Sequence, residues 1–240
     1  MSARLFPTTR WSLIRSSAGG NDAQADAALS ELCRVYWYPV YVFIRIRGAP
    51  ADDAQDLAQE FFVHLLTRRF FAAAQPEGGR FRAFLAVSLK NFLTDQTERR
   101  GAQKRGGGLT MVPIDLSGAE ERFSHEPVHA ETPERIFDRQ WALALVSQTY
   151  DQLREALNRE GRGTLFQHLQ AFLPGGDDPS ASANLPRDLG MTENAIKVAI
   201  HRLRRRYREL LRANVSHTLS DPGKVDDEIR FLLSSLSKER

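Results

Sequence analysis

"MTENAIKVAIHRLRRRYRELLR", residues 191–212, holds seven arginines and lysines and still spaces its apolar side chains like a helix. Ile196, Ala199, Ile200, Leu203, Tyr207, Leu210 and Leu211 recur every three or four residues, which predicts one buried stripe. Asn194, Lys197, His201, Arg204, Arg205 and Arg208 repeat at the same spacing on the opposite face. Such a helix docks by one side and offers fixed positive charge on the other. Just before it, "DLGMT" (188–192) places Leu189 at the end of a short helix, Gly190 where a left-handed turn is needed, and Thr192 as an N-cap. The pattern predicts a helix-turn-helix. Its second helix would enter the major groove N-terminus first, so that Thr192, Glu193, Asn194, Lys197 and His201 reach base edges while Arg202, Arg204 and Arg205 hold phosphates. A basic face alone fits a solvated surface equally well. The Gly-Met-Thr turn, and a second basic helix elsewhere in the chain, favour nucleic acid.

That second basic block lies at 80–105, where Arg80, Arg82, Lys90, Arg99, Arg100, Lys104 and Arg105 face only Asp95 and Glu98. Acidic blocks separate the two. Residues 50–60 carry Asp52, Asp53, Asp56 and Glu60 with no base, and seven acids in 109–138 face only Arg122 and Arg135. The formal net charge of +3 conceals this alternation, which suggests polyanion contact at two separate places.

At 240 residues and 42% hydrophobic content the chain has enough apolar surface for one large core or two small ones. Its longest apolar run, "VYWYPVYVFI" at 35–44, is too short to cross a bilayer, and no secretory leader pattern is present, so a cytoplasmic protein with no membrane contact is expected. A lone Cys33 forms no internal disulfide, and the six histidines show no zinc spacing. No metal and no cofactor are expected.

Nearly every periodic stretch has the helical period. After "TTRWSLI" (8–14), residues 23–47 predict a long apolar helix that ends at Gly48 and is kinked at Pro39. A second helix begins at Pro50, Asp52 and Asp53, with Ala54, Leu57, Ala58, Phe61, Phe62 and Leu65 on its apolar side. A third, from about 82 to 104, buries Phe84, Leu85, Leu89, Phe92 and Leu93. Residues 106–132 have glycine, proline and acids without a period and read as an irregular linker. Thr132 and Pro133 then start helices at about 133–160 and 163–173. The helix-turn-helix follows at 183–212, and a last helix at 224–236 carries Ile229, Leu232, Leu233 and Leu236. The expected fold is all-α, with two small helical domains joined by a flexible linker.

The segments "DAQDLAQEFFVHLL" (53–66) and "LGMTENAIKVAIHRLRRRY" (189–207), separated by a basic helix and a linker, resemble bacterial RNA polymerase sigma factors of the extracytoplasmic-function type. "TTRWSLI", "YWYP", "GRFRAFL" and "AQKRGGG" resemble one subgroup often encoded near serine/threonine kinases. The resemblance implies an N-terminal extension at 1–21, sigma region 2 at 22–105, a linker at 106–132, sigma region 4 at 133–212 and a C-terminal extension at 213–240. It implies a non-enzymatic factor that directs the polymerase core to promoters by recognising the −35 element and melting the −10 element. Asp53, Asp56, Gln59 and Glu60 would bind the β′ clamp helices, and the β subunit would be a further partner. Lys90 and Asn91 would face the non-template strand of the −10 element, Arg99, Arg100, Lys104 and Arg105 would follow its phosphates, and Arg80 and Phe81 would capture an unstacked base, although Phe81 fits a core position as easily. Thr192, Glu193, Asn194, Lys197, His201, Arg202, Arg204 and Arg205 would read promoter DNA at −35.

Promoter elements about 20 base pairs apart lie roughly 70 Å apart at about 3.4 Å per pair. The linker spans about 90 Å if extended and only about 40 Å if helical, so the resemblance requires an irregular one. Two departures from the family bear on regulation. Gln55 stands where relatives usually carry an acid, and Ala58 stands where the kinase-linked subgroup often has threonine, so a kinase partner would act elsewhere, with Thr67, Thr94 and Thr97 as candidates. Pro186 requires the first helix of the helix-turn-helix to start near Asn184 and to be short.

Two other readings compete. A DNA-binding regulator that never meets polymerase would use the helix-turn-helix as reader and the N-terminal bundle for dimerisation. A carboxylate metal site could use Asp56, Glu60 and His64 at i, i+4 and i+8, but no second Glu-x-x-His helix completes it.

Overall fold

The computed structural model describes residues 23–66, 80–102, 118–125, 131–174, 185–219 and 221–237. The protein is all-α, and among the described residues no strand forms; Arg80 and Leu219 make an isolated antiparallel bridge. The helices are α1 (Ala23–Ile46), α2 (Ala51–Leu66), α3 (Phe81–Ala102), α4 (Ala119–Ser124), α5 (Pro133–Arg159), α6 (Gly163–Leu169), α7 (Leu185–Leu189), α8 (Glu193–His217) and α9 (Val225–Leu236). No helix among the described residues is long and apolar enough to cross a membrane.

Local chemistry sets these bounds. At the end of α1, Gly48 takes a φ of 93°, and the N–H groups of Gly48 and Ala49 donate to the carbonyls of Arg45 and Ile44, the two bonds that close a helix on a left-handed residue. Gly161 (φ 73°) closes α5 in the same way, with the Arg162 N–H donating to the Leu157 carbonyl at 2.8 Å. Thr132 caps α5, its hydroxyl accepting from the Arg135 N–H, and Pro133 holds the first helical position as expected. α1 runs through Pro39 as one helix.

The chain divides into two compact units, one from Met1–Ala144 with Val215–Arg240 and the other from Leu145–Asn214. These bounds differ from the expected 22–105, 133–212 and 213–240. Residues 133–144, expected with the helix-turn-helix, and the described part of the C-terminal extension from Val215 onward pack in the first unit. The cause is aromatic and ionic. Phe137 and Trp141 of α5 are fully buried, the first edge-on to Phe43 and the second stacked on Tyr36, while Glu228 of α9 is buried against Arg80 and Arg82.

The rest of the first core follows the predicted faces. Ala54, Leu57, Ala58, Phe61, Phe62 and Leu65 of α2 are buried, as are Phe84, Leu85, Leu89 and Phe92 of α3. Leu93 is half-buried. Within the linker expected to be irregular, residues 119–124 form α4, which docks on α1. Ala119 is buried, Arg45 pairs with Glu120 at 2.6 Å, and the Arg122 guanidinium lies 3.7 Å from the Tyr38 ring centroid. Residues 106–117 and 126–130 of that linker lie outside the described residues. In α9 the expected apolar face turns out differently. Val225, Glu228 and Leu232 point inward, and Leu233 is 52% exposed.

In the second unit, Leu153 and Leu157 of α5, Phe166 and Leu169 of α6, Leu185 of α7, and Ile196, Leu203 and Tyr207 of α8 form one core. α7 is as short as Pro186 demands, with that proline in its first turn, where no helical N–H is required.

Candidate nucleic-acid interface

The turn before α8 is built as its sequence requires. Gly190 adopts a φ of 60°, the Met191 N–H donates back to the Pro186 carbonyl, and the Thr192 hydroxyl accepts from the Ala195 N–H at 3.3 Å while its carbonyl accepts from Ile196. α7 and α8 therefore meet through a left-handed glycine and a capped N-terminus, the local geometry of a helix-turn-helix.

Ile196, Leu203 and Tyr207 fix the rotation of α8 by burial, and burial alone pushes the Tyr207 phenol above its usual range. The opposite side is left to solvent. Thr192, Glu193, Asn194, Lys197, His201, Arg202, Arg204 and Arg205 are all exposed. At 3.6 residues per turn Asn194, Lys197, His201, Arg205 and Arg208 form the centre of this face. Arg202 and Arg204 sit on its two flanks. Arg204 is tied down, its Nε donating to the Phe172 carbonyl at 2.8 Å. Arg202 borders an apolar cavity of about 310 Å³, which Leu157, Phe166, Met191, Val198 and Leu203 also line. Arg205 pairs with Glu209 at 3.5 Å along the helix, an exposed contact of little strength.

Arg206, which the sequence pattern does not single out, anchors α8 to the end of α5. Its Nη1 and Nη2 donate to Glu160 at 3.0 and 2.6 Å, and this bidentate bond holds the Glu160 carboxyl below its usual range. A second polar tie joins the same helices, with Asn214 Nδ2 donating to Thr149 Oγ1 at 2.9 Å and to Gln152 Oε1 at 3.0 Å. These ties fix the exposed basic face of α8 relative to α5 without using its exposed cations.

The first unit treats its expected residues differently. Phe81, expected to capture an unstacked base, is a core residue only 2% exposed, packed against Tyr36, Phe84 and Trp141. Its ring is already buried among these three. Arg80 Nε lies 3.0 Å from Glu228 Oε2, an ion pair without hydrogen-bond alignment. Lys90 pairs with Glu134 of α5 at 2.8 Å, and the Lys90 hydrogen bond holds the Glu134 carboxyl below its usual range. Asn91 is exposed. The side chains of Arg99 and Arg100, and the whole of Lys104 and Arg105, lie outside the described residues.

On α2, Asp56 is exposed and Asp53, Gln59 and Glu60 are half-buried. Glu60 accepts from Gln96 Nε2 at 2.9 Å. Ala58 is fully buried. Thr94 and Thr97 donate their hydroxyls to the carbonyls of Lys90 and Leu93 one turn back, and Thr67 lies outside the described residues. Among the described residues no group of three or more His, Cys, Asp or Glu side chains is placed to hold a metal ion.

Sequence reasoning missed the acids that meet these cations. Glu134, Asp138 and Glu228 belong to segments assigned elsewhere, and no local spacing connects them to α3. Trp141 was findable, since Phe137 and Trp141 share a helix face. No family model matches the chain, and neither does any curated protein or any solved structure.

Proposed function

We propose that this protein is a sigma factor of the extracytoplasmic-function type, which brings the RNA polymerase core to specific promoters. The observation that carries the reading is the solvent-facing row Asn194, Lys197, His201 and Arg205 on a capped helix that follows a left-handed glycine turn. Such a row meets the major groove with its polar N-terminal residues and the flanking phosphates with its arginines. In this reading α8 binds the −35 element, Asn91 and the basic residues of α3 contact the −10 element, and Asp53, Asp56, Gln59 and Glu60 meet the β′ clamp helices. The β subunit is a further partner, a serine/threonine kinase a regulator, and the site of action the cytoplasm. The chain performs no catalysis of its own and needs no cofactor.

In vitro transcription with purified core polymerase on a library of genomic fragments tests this. Initiation at discrete sites that depends on the added chain supports the reading. Absence of initiation, before and after kinase treatment, overturns it.

A second reading has its own support. With Phe81 in the core, and Arg80 and Lys90 paired with acids, the first unit offers fewer free contacts to melted DNA than the resemblance implies. A helix-turn-helix regulator that acts without polymerase uses only the second unit for DNA. Such a protein binds duplex DNA but neither co-purifies with core polymerase nor competes with other sigma factors for it.

A further inference from the structure

The start of α3 is covered by residues that lie far along the chain. The Phe81 N–H donates to the Thr218 carbonyl at 2.9 Å, and Arg80 bridges Leu219, so the backbone entering α3 is paired with the backbone leaving α8. Beyond this bridge α9 places Val225, Glu228 and Leu232 inward. Glu228 is 1% exposed, with Oε1 3.2 Å from Arg82 Nε and Oε2 3.0 Å from Arg80 Nε. Arg82 is engaged in three ways. Its Nε donates to Glu228, its Nη1 to Asp138, and the Phe231 ring centroid lies 4.3 Å from its guanidinium carbon.

A nearly fully buried carboxylate between two arginines is a costly way to fasten a helix, because an apolar side chain of similar size serves packing as well or better. Its advantage lies elsewhere. A carboxylate occupies the arginines as a phosphate does, and when it leaves, both cations remain charged and able to accept another anion. The first turn of α9 reinforces this, since Asp226 and Asp227 precede Glu228 and make the segment locally anionic.

We propose that residues 215–219 and 221–236 form an intramolecular cover that competes with single-stranded DNA for Arg80 and Arg82, with Glu228 standing in for a phosphate. This rests on the reading of α3 as a surface for melted DNA, and it assigns the C-terminal segment a role as a regulator of that surface. In the free protein the cover is closed. Binding that displaces α9 opens it, so α9 and a DNA strand weaken each other's hold by the same factor.

The test uses the full-length protein and a short fluorescent single-stranded DNA. In Glu228→Gln the cover loses its charge, and the oligonucleotide binds roughly tenfold more tightly because a larger fraction of molecules is open. Adding Arg80→Ala and Arg82→Ala to that variant abolishes the gain.

A second measurement needs no variant. Adding the oligonucleotide to the wild-type chain speeds amide exchange in α9 and tryptic cleavage after Arg230. Equal affinity in a folded Glu228→Gln, or α9 exchange in the wild type that is unchanged or slowed by DNA, overturns the proposal. If Glu228→Gln does not fold, the exchange measurement on the wild type decides alone. Should the chain fail to initiate transcription, the oligonucleotide experiments still decide the cover. Should it initiate while Glu228→Gln gains nothing, the cover fails and the sigma-factor reading stands.

Discussion

The indole of Trp141 lies flat on the phenol ring of Tyr36, with ring centroids 3.6 Å apart and planes within 4°. Phe81 packs at an angle against both rings, and Phe137 against Trp141, so the start of α3 and the first turns of α5 share one aromatic cluster with α1. This cluster makes residues 133–144 part of the first unit.

Trp141→Ala removes the largest fully buried side chain of that cluster. The expected cost is about 3–5 kcal/mol, the range for deleting a buried aromatic group. Denaturant unfolding followed by circular dichroism measures it. A loss below about 1 kcal/mol would show that the stack is not a structural anchor.

The turn of the helix-turn-helix gives a second expectation. A Cβ at Gly190 meets no atom within 4 Å, so the penalty of Gly190→Ala comes from its φ of 60° alone, about 1–2 kcal/mol. Thr192→Ala removes the cap of α8 at about 1 kcal/mol. Thr192→Ser keeps the hydroxyl and restores stability, which thermal unfolding of the three variants resolves.

On the proposed reading of α8, Lys197→Ala and Arg205→Ala weaken duplex DNA binding, and each lowers the salt slope by roughly 0.9 as one phosphate contact is lost. Because both side chains are exposed, stability changes by no more than about 0.5 kcal/mol. Arg206→Ala does the reverse. It breaks the bidentate bond to Glu160 and lowers stability while leaving the exposed face in place. Anisotropy titrations at several salt concentrations, beside unfolding curves, separate the two classes.

The docking of α4 depends on pH at both ends. The Arg45 hydrogen bond, aided by that of Tyr41, holds the Glu120 carboxyl below its usual range, so its contribution is present above the ordinary glutamate range and is lost as pH falls through the lower folded value. Burial, with the Glu120 carboxylate adding to it, pushes the Tyr41 phenol up to about 12, and its contribution is complete below about 10 and lost as pH rises towards 12. Glu120→Gln removes the acid limb. Fluorescence of a probe on Ser124→Cys, with Cys33→Ser, follows the release of α4.

Where a helix's partners lie on its own face or one turn away, the sequence was sufficient. The buried sides of α2 and α3, the Gly48 stop, the Thr132 and Thr192 caps and the exposed row on α8 all follow from period and local hydrogen bonding. What failed to show was pairing across long separations. Phe81 sits in an arginine-rich stretch beside aromatic residues, which fits base stacking as well as a core, and only Tyr36 and Trp141 from other helices decide between them. Glu228 occupies an inward position of an otherwise apolar stripe, where a charge ordinarily signals the solvent side. Its partners are fixed by tertiary geometry that no spacing within α9 reveals. The short α4, at six residues, is held by Arg45 and the α1 aromatic rings rather than by any period of its own.

The bond from Arg82 to Glu228 joins residues 146 positions apart, whereas residues 145–214 of the other unit form one uninterrupted stretch. On the ribosome, the later-encoded unit therefore has all its parts before the earlier one does, and the start of α3 waits with Arg82 met only by Asp138, and Arg80 without Glu228, until residue 228 has emerged. Translation order and completion order are reversed, and nascent chains stalled between those two points are the species most prone to capture by polyanions such as ribosomal RNA.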